Sequence, residues 1–251
     1  MKNKKPLLII GILALLLLVL CPLAIVIALK MLPSGDGMGV IPWGSVDANN
    51  TKVDGIDVSH HNGKIDWAAV GSNKRIKFVY VKATEGATWR DKRFASNVSD
   101  ARSAGIHVGA YHFFSSKSSP EAQFENFRAY TSGNDLDLIP VIDVEWQGMK
   151  GIDKSTICDK VMRIATLMEK HYGRKPMIYT SEDIYDNYLY PEASTYYLWI
   201  SNLSRRPILK GNACADIWQF SERGYVDGAP THIDLDRFVN GMTIDKLLMG
   251  K

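Results

Sequence analysis

Apolar positions along the chain follow two patterns. The first is a series of short, nearly continuous apolar runs rich in Val, Ile, Tyr, Phe and Trp, at 54–59, 77–84, 106–114, 139–146, 175–181, 196–201, 215–220 and 233–238. Runs of this length and composition predict strands, and their lack of strict alternation suits strands covered on both faces. The second pattern has helical spacing. Ile157, Val161, Ile164 and Met168 give one apolar face over 153–172, with Gly173 to stop the helix and Pro176 just beyond. Ser119-Pro120-Glu121 opens another helix with a capping hydroxyl, a proline at the first helical position and an acid at the positive end of the dipole. A third spans 91–104 and stops at Gly105, a short one covers 66–71, a weaker one covers 181–189, and 243–248 predicts a short closing turn.

Eight strands with helices between the early ones predict an α/β fold, a TIM-like β/α barrel. It should be incomplete, because the last strands follow one another too closely to leave room for regular helices. In barrels of this type chemistry sits at the C-terminal ends of the strands, which directs attention to the residues found there.

Before the first strand the pattern changes. Residues 7–29 carry no charge, long enough for a membrane-spanning helix and longer than the apolar core of a secretory signal. Lys2, Lys4 and Lys5 precede the run, and only Lys30 follows before Lys52, so the positive-inside rule places the N-terminus in the cytoplasm and the rest outside it, at the cell surface or in the periplasm. Secretion after cleavage is the alternative. Three segments follow: an anchor over 1–30, a Gly/Pro/Ser/Asn-rich tether over 31–53, and a barrel domain over 54–251.

The 251 residues leave one domain of about 200 residues once the anchor is set aside. Net charge is +3, dispersed along the chain, which gives no footprint for nucleic acid. Outside the apolar run the cysteines are Cys158 and Cys214, too few for a zinc site or a disulfide framework. One bridge is conceivable; two buried thiols are the expectation. No His-Glu-x-x-His and no Gly-x-Ser-x-Gly occurs, so neither a zinc peptidase nor a serine hydrolase is indicated, and no cofactor or metal is expected.

The fourth strand ends Asp143-Val144-Glu145-Trp146. Side chains alternate along a strand, so the two acids share a side, with α-carbons about 6.5–7 Å apart. A carboxyl pair at a barrel mouth suits glycoside hydrolysis, in which one group must hold a proton for the leaving oxygen and the other must offset a positive transition state. Asp57 at the end of the first strand and Asp234 in the last would join them if the barrel closes. Trp89, Trp146, Trp199, Trp218, Tyr111 and Tyr179 lie at or just after strand ends, where rings can pack on the apolar faces of sugars. Tyr80, Phe113 and Trp67 read as core, and His60 and His61 as residues lining the cleft beside Asp57.

These stretches resemble glycoside hydrolase family 25, the Chalaropsis-type lysozymes. The resemblance is carried, in the family's order, by Gly55-Ile56-Asp57-Val58-Ser59, Phe78 to Gly86 (FVYVKATEG), Gly109-Ala110-Tyr111-His112-Phe113, Pro140 to Glu145 (PVIDVE), Leu198-Trp199-Ile200, Trp218-Gln219-Phe220 and Ile233-Asp234-Leu235-Asp236. It implies hydrolysis of the β-1,4 bond between N-acetylmuramic acid and N-acetylglucosamine in peptidoglycan. Glu145 would be the proton donor, Asp143 would stabilise or orient the substrate's acetamido group, and Asp57 would complete the catalytic set. Asp234, Glu85, Tyr111, Trp146, Tyr179, Trp199 and Trp218 would contact glycan. Expected partners are therefore peptidoglycan strands and, through the N-terminal run, the membrane; no nucleic acid is expected, and the protein should be monomeric. Two alternatives are a non-catalytic glycan-binding protein on the same fold and a chitinase-like hydrolase. The second usually carries Asp-x-Asp-x-Glu, whereas Val141 stands two positions before Asp143 here.

Overall fold

The computed structural model describes residues 46–134 and 136–250. Strands run in the order β1 (Val46–Asp47), β2 (Gly55–Val58), β3 (Phe78–Glu85), β4 (Trp89–Arg90), β5 (His107–Phe113), β6 (Val141–Val144), β7 (Met177–Ser181), β8 (Tyr197–Ser201), β9 (Ile217–Tyr225) and β10 (Ile233–Phe238). Eight close a ring in the sequence β2, β3, β5, β6, β7, β8, β9, β10 and back to β2. Neighbours are parallel from β2 round to β9, and β10 runs against both β9 and β2. Because β10 is reversed, its N-terminal end reaches the rim that the other strands reach with their C-terminal ends. Asp234 is thereby the direct cross-strand partner of Asp57.

Helices α1 (Trp67–Ser72), α2 (Phe94–Ser103), α3 (Pro120–Thr131) and α4 (Lys154–Tyr172) follow β2, β3, β5 and β6. Their ends behave as the sequence predicts. Asp66, Ser119 and Asp153 each accept a backbone N–H of the first turn, and Gly173 adopts the left-handed conformation that ends α4. α2 starts later than expected because Asp91 is turned inward, fully buried, and holds His60 instead of entering the helix. After β7 there is only one helical turn (Glu182–Ile184) continuing as a π-helical segment (Tyr185–Leu189), and β8 and β9 have no α-helix after them. The incompleteness is thus in the helical layer, while the ring of strands is closed.

Two packed regions result. Phe78, Tyr80, Ile139, Val141, Met177, Trp199 and Ile217 fill the barrel interior below the rim, and Met242 and Leu247 of the closing segment pack with them. Outward residues such as Val79, Val81, Ile142, Val144, Ile178 and Leu198 join the helices in the larger core.

Two expectations need correcting. Residues 46–53 belong to the folded unit: β1 pairs with β9, and Ala48 and Val53 are buried. Cys158 and Cys214 are unpaired as expected, but only Cys158 is buried; Cys214 is exposed, in the helix-free stretch before β9. Among the described residues no helix is long and apolar enough to cross a membrane. The expected span over 7–29 lies outside them, as do residues 31–45 of the expected tether.

Candidate active site

Alternation along the strands decides which side chains share the upper barrel. On β6, Ile142 and Val144 face the helical layer, so Asp143 faces inward, and Glu145 follows it on the same side at the rim. On β2, Asp57 sits between outward Ile56 and Val58; on β10, Asp234 and Asp236 alternate with outward Ile233 and Leu235. One cavity therefore receives carboxyls from β2, β6 and β10. Lys82 of β3, Tyr111 of β5, Tyr179 of β7 and Gln219 of β9 face the same space.

A hydrogen-bond chain ties one side of this cavity together. The Tyr179 hydroxyl donates to Gln219 Oε1 at 2.7 Å, and Gln219 Nε2 donates to Asp57 Oδ2 at 2.8 Å. Asp57 in turn shares a hydrogen bond with Asp234. Deeper, Trp199 Nε1 donates to Asp236 Oδ1 at 2.8 Å. Asp143 Oδ1 and Asp236 Oδ2 are buried with no hydrogen-bond partner among the described residues. An acceptor left open at a cavity wall is ready for a donor from a ligand.

The electrostatics follow from crowding acids in a poorly solvated space. Burial raises the Asp143 carboxyl well above the usual range, and Glu145 raises it further, while Lys82 pulls it down. Glu145 is half-buried; burial raises it too, against Lys82, with Glu222 adding to the rise. Burial raises Asp57, reinforced by Asp234 and Asp236. Asp234 is pushed up to about 7 by burial and then by Glu222, partly offset by its bond to Asp57. The cavity thus retains protons at a pH where isolated carboxyls would be ionised. Burial and the same acids hold the Tyr111 and Tyr179 hydroxyls protonated.

Of the aromatics singled out in the sequence, Tyr111 and Tyr179 line the cavity and Trp146 is 48% exposed at the rim, its ring edge-on to Tyr188 at 5.4 Å. Trp199 does not reach the rim. It is 1% exposed and stacked among Tyr80 and Tyr179, so it supports the floor and offers no face to a glycan. Trp218 points outward from β9, where its indole donates to Asn202 O and the Arg237 guanidinium lies over its ring. Both are corrections to the expected glycan contacts. Glu85 is at the rim and bound to Lys82 Nζ at 2.9 Å. His60 is held by Asp91, with His61 and Trp89 beside its ring. Trp89 itself is exposed.

Four members of the cavity had not been singled out: Lys82, Gln219, Glu222 and Asp236. Asp236 was recoverable, since it repeats the Asp-x-acid alternation of β6. Gln219 was visible only once the flanking Trp218 and Phe220 are known to face outward. Glu222 sits on a polar extension of β9 that carries no strand signal. No cluster of His, Cys, Asp and Glu suited to a metal ion occurs among the described residues.

Residues 56–229 match the family model described as glycosyl hydrolases family 25. Uncharacterized protein YegX of Escherichia coli K12 is 34% identical over 200 residues, covering 78% of this chain and 72% of that protein. Lysozyme M1 of Streptomyces globisporus is 30% identical over 204 residues, covering 76% and 69%. The crystal structure of a bacterial lysozyme from Streptomyces coelicolor superposes with a TM-score of 0.70 at 30% identity, covering 78% of this chain and 95% of that one. The chain belongs to glycosyl hydrolase family 25 and is a glycoside hydrolase.

Proposed function

We propose that this hydrolase cleaves peptidoglycan at the β-1,4 bond between N-acetylmuramic acid and N-acetylglucosamine, with Glu145 as the general acid. The observation that carries this is the pairing on β6: Glu145 half-buried at the rim with its affinity for a proton raised, and Asp143 beneath it on the same face with Oδ1 unpartnered. The muramidases and lysozymes among the relatives support the substrate class.

Burial raises both carboxyls, and the charge on Glu145 raises Asp143 further, so the pair tends to hold a proton. A sugar acetamido N–H donated to Asp143 Oδ1 stabilises the ionised form of Asp143 and leaves the proton on Glu145. Glu145 then donates it to the leaving oxygen, while Asp143 orients the acetamido carbonyl toward the anomeric carbon and offsets the positive charge that develops there. Asp57, fixed by Gln219 and through it by Tyr179, and Asp234 beside it complete the carboxyl-lined wall of the cavity.

Two measurements test this. Mass spectrometry of peptidoglycan digests should show products ending in N-acetylmuramic acid at the reducing end; products ending in N-acetylglucosamine exclude the assignment. Glu145→Gln should keep its fold and glycan binding while kcat falls by at least about 10²-fold. Equal rates for the two proteins would dismiss Glu145 as the acid. Faster release of reducing ends from chitin than from peptidoglycan would favour the chitinase-like alternative.

The apolar run over 7–29 and the lysines before it support a location outside the cytoplasm, attached to the membrane, where a wall polymer is accessible.

A further inference from the structure

Lys82 faces the catalytic pair, but its closest partner is Glu85, three residues on. In a regular strand these two side chains would lie on opposite faces. They meet because the β3–β5 register slips: Lys82 is opposite Tyr111, Thr84 is opposite His112, and Ala83 is the extra residue. A bulge of this kind re-aims the side chains after it. Here Thr84 is turned outward and Glu85 inward, beside Phe113, whose ring also carries Lys82 Nζ at 4.4 Å.

The outward turn is held by a buried polar network. Thr84 Oγ1 is 2.8 Å from His112 Nδ1, and His112 Nε2 is 3.2 Å from Gln123 Oε1. Gln123 Oε1 also accepts from Ser115 N, and Gln123 Nε2 donates to the carbonyls of Ser115 and Ser118. One tautomer satisfies every group: Nε2–H donates to Gln123, and Nδ1 accepts from the Thr84 hydroxyl. His112 and Gln123 are fully buried, and burial keeps His112 neutral by lowering it to about 4. α3 adds a second brace, as Asn126 Nδ2 donates to the carbonyls of Gly86 and Trp89.

We infer that Thr84, locked by His112 and Gln123, is a positioning residue: it holds the bulge that keeps Glu85 on Lys82, and so limits how much of the lysine's charge reaches Glu145 and Asp143. The inference rests on Glu145 being the catalytic acid. Glu85 acts as a competitor for Lys82, a cation that opposes proton retention by the pair. Glu85 also raises Asp143 directly, so its own charge and its hold on Lys82 act in one direction; the other charged groups facing the pair, Asp57, Asp234 and Glu222, likewise act against Lys82.

The test follows the Glu145 carboxyl by ¹³C NMR, with its resonance assigned by Glu145→Gln, alongside the pH profile of kcat/KM on peptidoglycan. Glu85→Gln releases Lys82 toward the pair, so the Glu145 midpoint and the basic limb of the profile should both fall, by about half a pH unit or more. Thr84→Val keeps the volume and removes only the bond to His112; it should shift both in the same direction. Thr84→Ser keeps the hydroxyl and should restore wild-type titration. Adding Thr84→Val to Glu85→Gln should produce no further shift, because the competitor is already gone. General destabilisation would lower Tm without moving the midpoint. A wild-type midpoint in Thr84→Val, or an equal additional shift in the double variant, would overturn the inference. Wild-type protein that releases no reducing ends would remove the hydrolase reading instead, and the NMR titration would still report on the bulge.

Discussion

Asp234 shows how one residue trades stability for chemistry. Its carboxyl is held at about 7 in the folded protein against 3.8 for an ordinary aspartate, chiefly by burial. Between these values the folded state binds a proton that the unfolded chain has released, so stability falls as pH rises through that window. Asp234→Asn removes the charge and keeps the shape, so it should stabilise the protein at pH 7.5 by on the order of 1 kcal/mol after allowance for partial solvation, read as a higher Tm, and converge on wild type near pH 4. Thermal unfolding at the two pH values checks this; a lower Tm at pH 7.5 would contradict it. His112 works in the opposite sense. Its value of about 4 lies below 6.5, so its contribution grows as pH rises across that interval, and a measured pH–stability curve contains both slopes. Asp236 and Glu222 were passed over, whereas Asp57, Asp143, Glu145 and Asp234 were legible from their places on apolar strands. The tryptophans were not, because parity gives the face of a strand and says nothing of depth. Trp199 faces inward but is covered by Tyr80 and Tyr179, and Trp218 faces outward.

At the level of elements, all eight ring strands were visible as apolar runs, and Ser119 and Gly173 marked helix ends where the structure has them. What stayed hidden has a common cause: it is encoded by pairing between distant segments. The bulge in β3 leaves no mark in FVYVKATEG, because it exists only relative to β5. The extension of β9 through Ser221, Glu222, Arg223 and Gly224 is polar, and it becomes a strand by pairing with β10 and β1. Close approach between β3 and β5 is also a pairing property. A Cβ added at Gly109 would lie 2.1 Å from the Tyr80 ring, whose hydroxyl donates to Ile139 O at 3.1 Å. Gly109→Ala should therefore push Tyr80 off its contacts and destabilise the fold by about 1–3 kcal/mol in urea unfolding. The loss should appear even with the site emptied by Glu145→Gln, which keeps packing separate from catalysis. An unchanged urea midpoint would mean that the floor of the barrel accommodates the extra methyl by sliding β5.

At the scale of the whole molecule, a carboxyl-lined barrel mouth and a charge-free N-terminal run bear on the proposed substrate and location. Closure of the ring matters here: because β10 returns antiparallel, Asp57 of β2 and Asp234 of β10 meet as cross-strand neighbours and join the carboxyl pair that follows along β6. Trp89 on β4 and Trp146 just after β6 stand exposed at the rim, on neighbouring parts of the ring separated by β5. Such a cleft has no substrate in the cytoplasm if the glycan is peptidoglycan, so export and substrate class stand together. The charge-free run over 7–29 is long enough to remain in the bilayer, and its lysine-rich start favours a cytoplasmic N-terminus. The full chain expressed in a bacterium should sediment with membranes, resist extraction by alkaline carbonate, and lose its hydrolase domain to protease added from outside the cytoplasmic membrane. Recovery of the intact domain in the soluble extracytoplasmic fraction, shortened at its N-terminus, would show cleavage and secretion. Protection from the external protease would place the domain in the cytoplasm and remove the basis for peptidoglycan as its substrate.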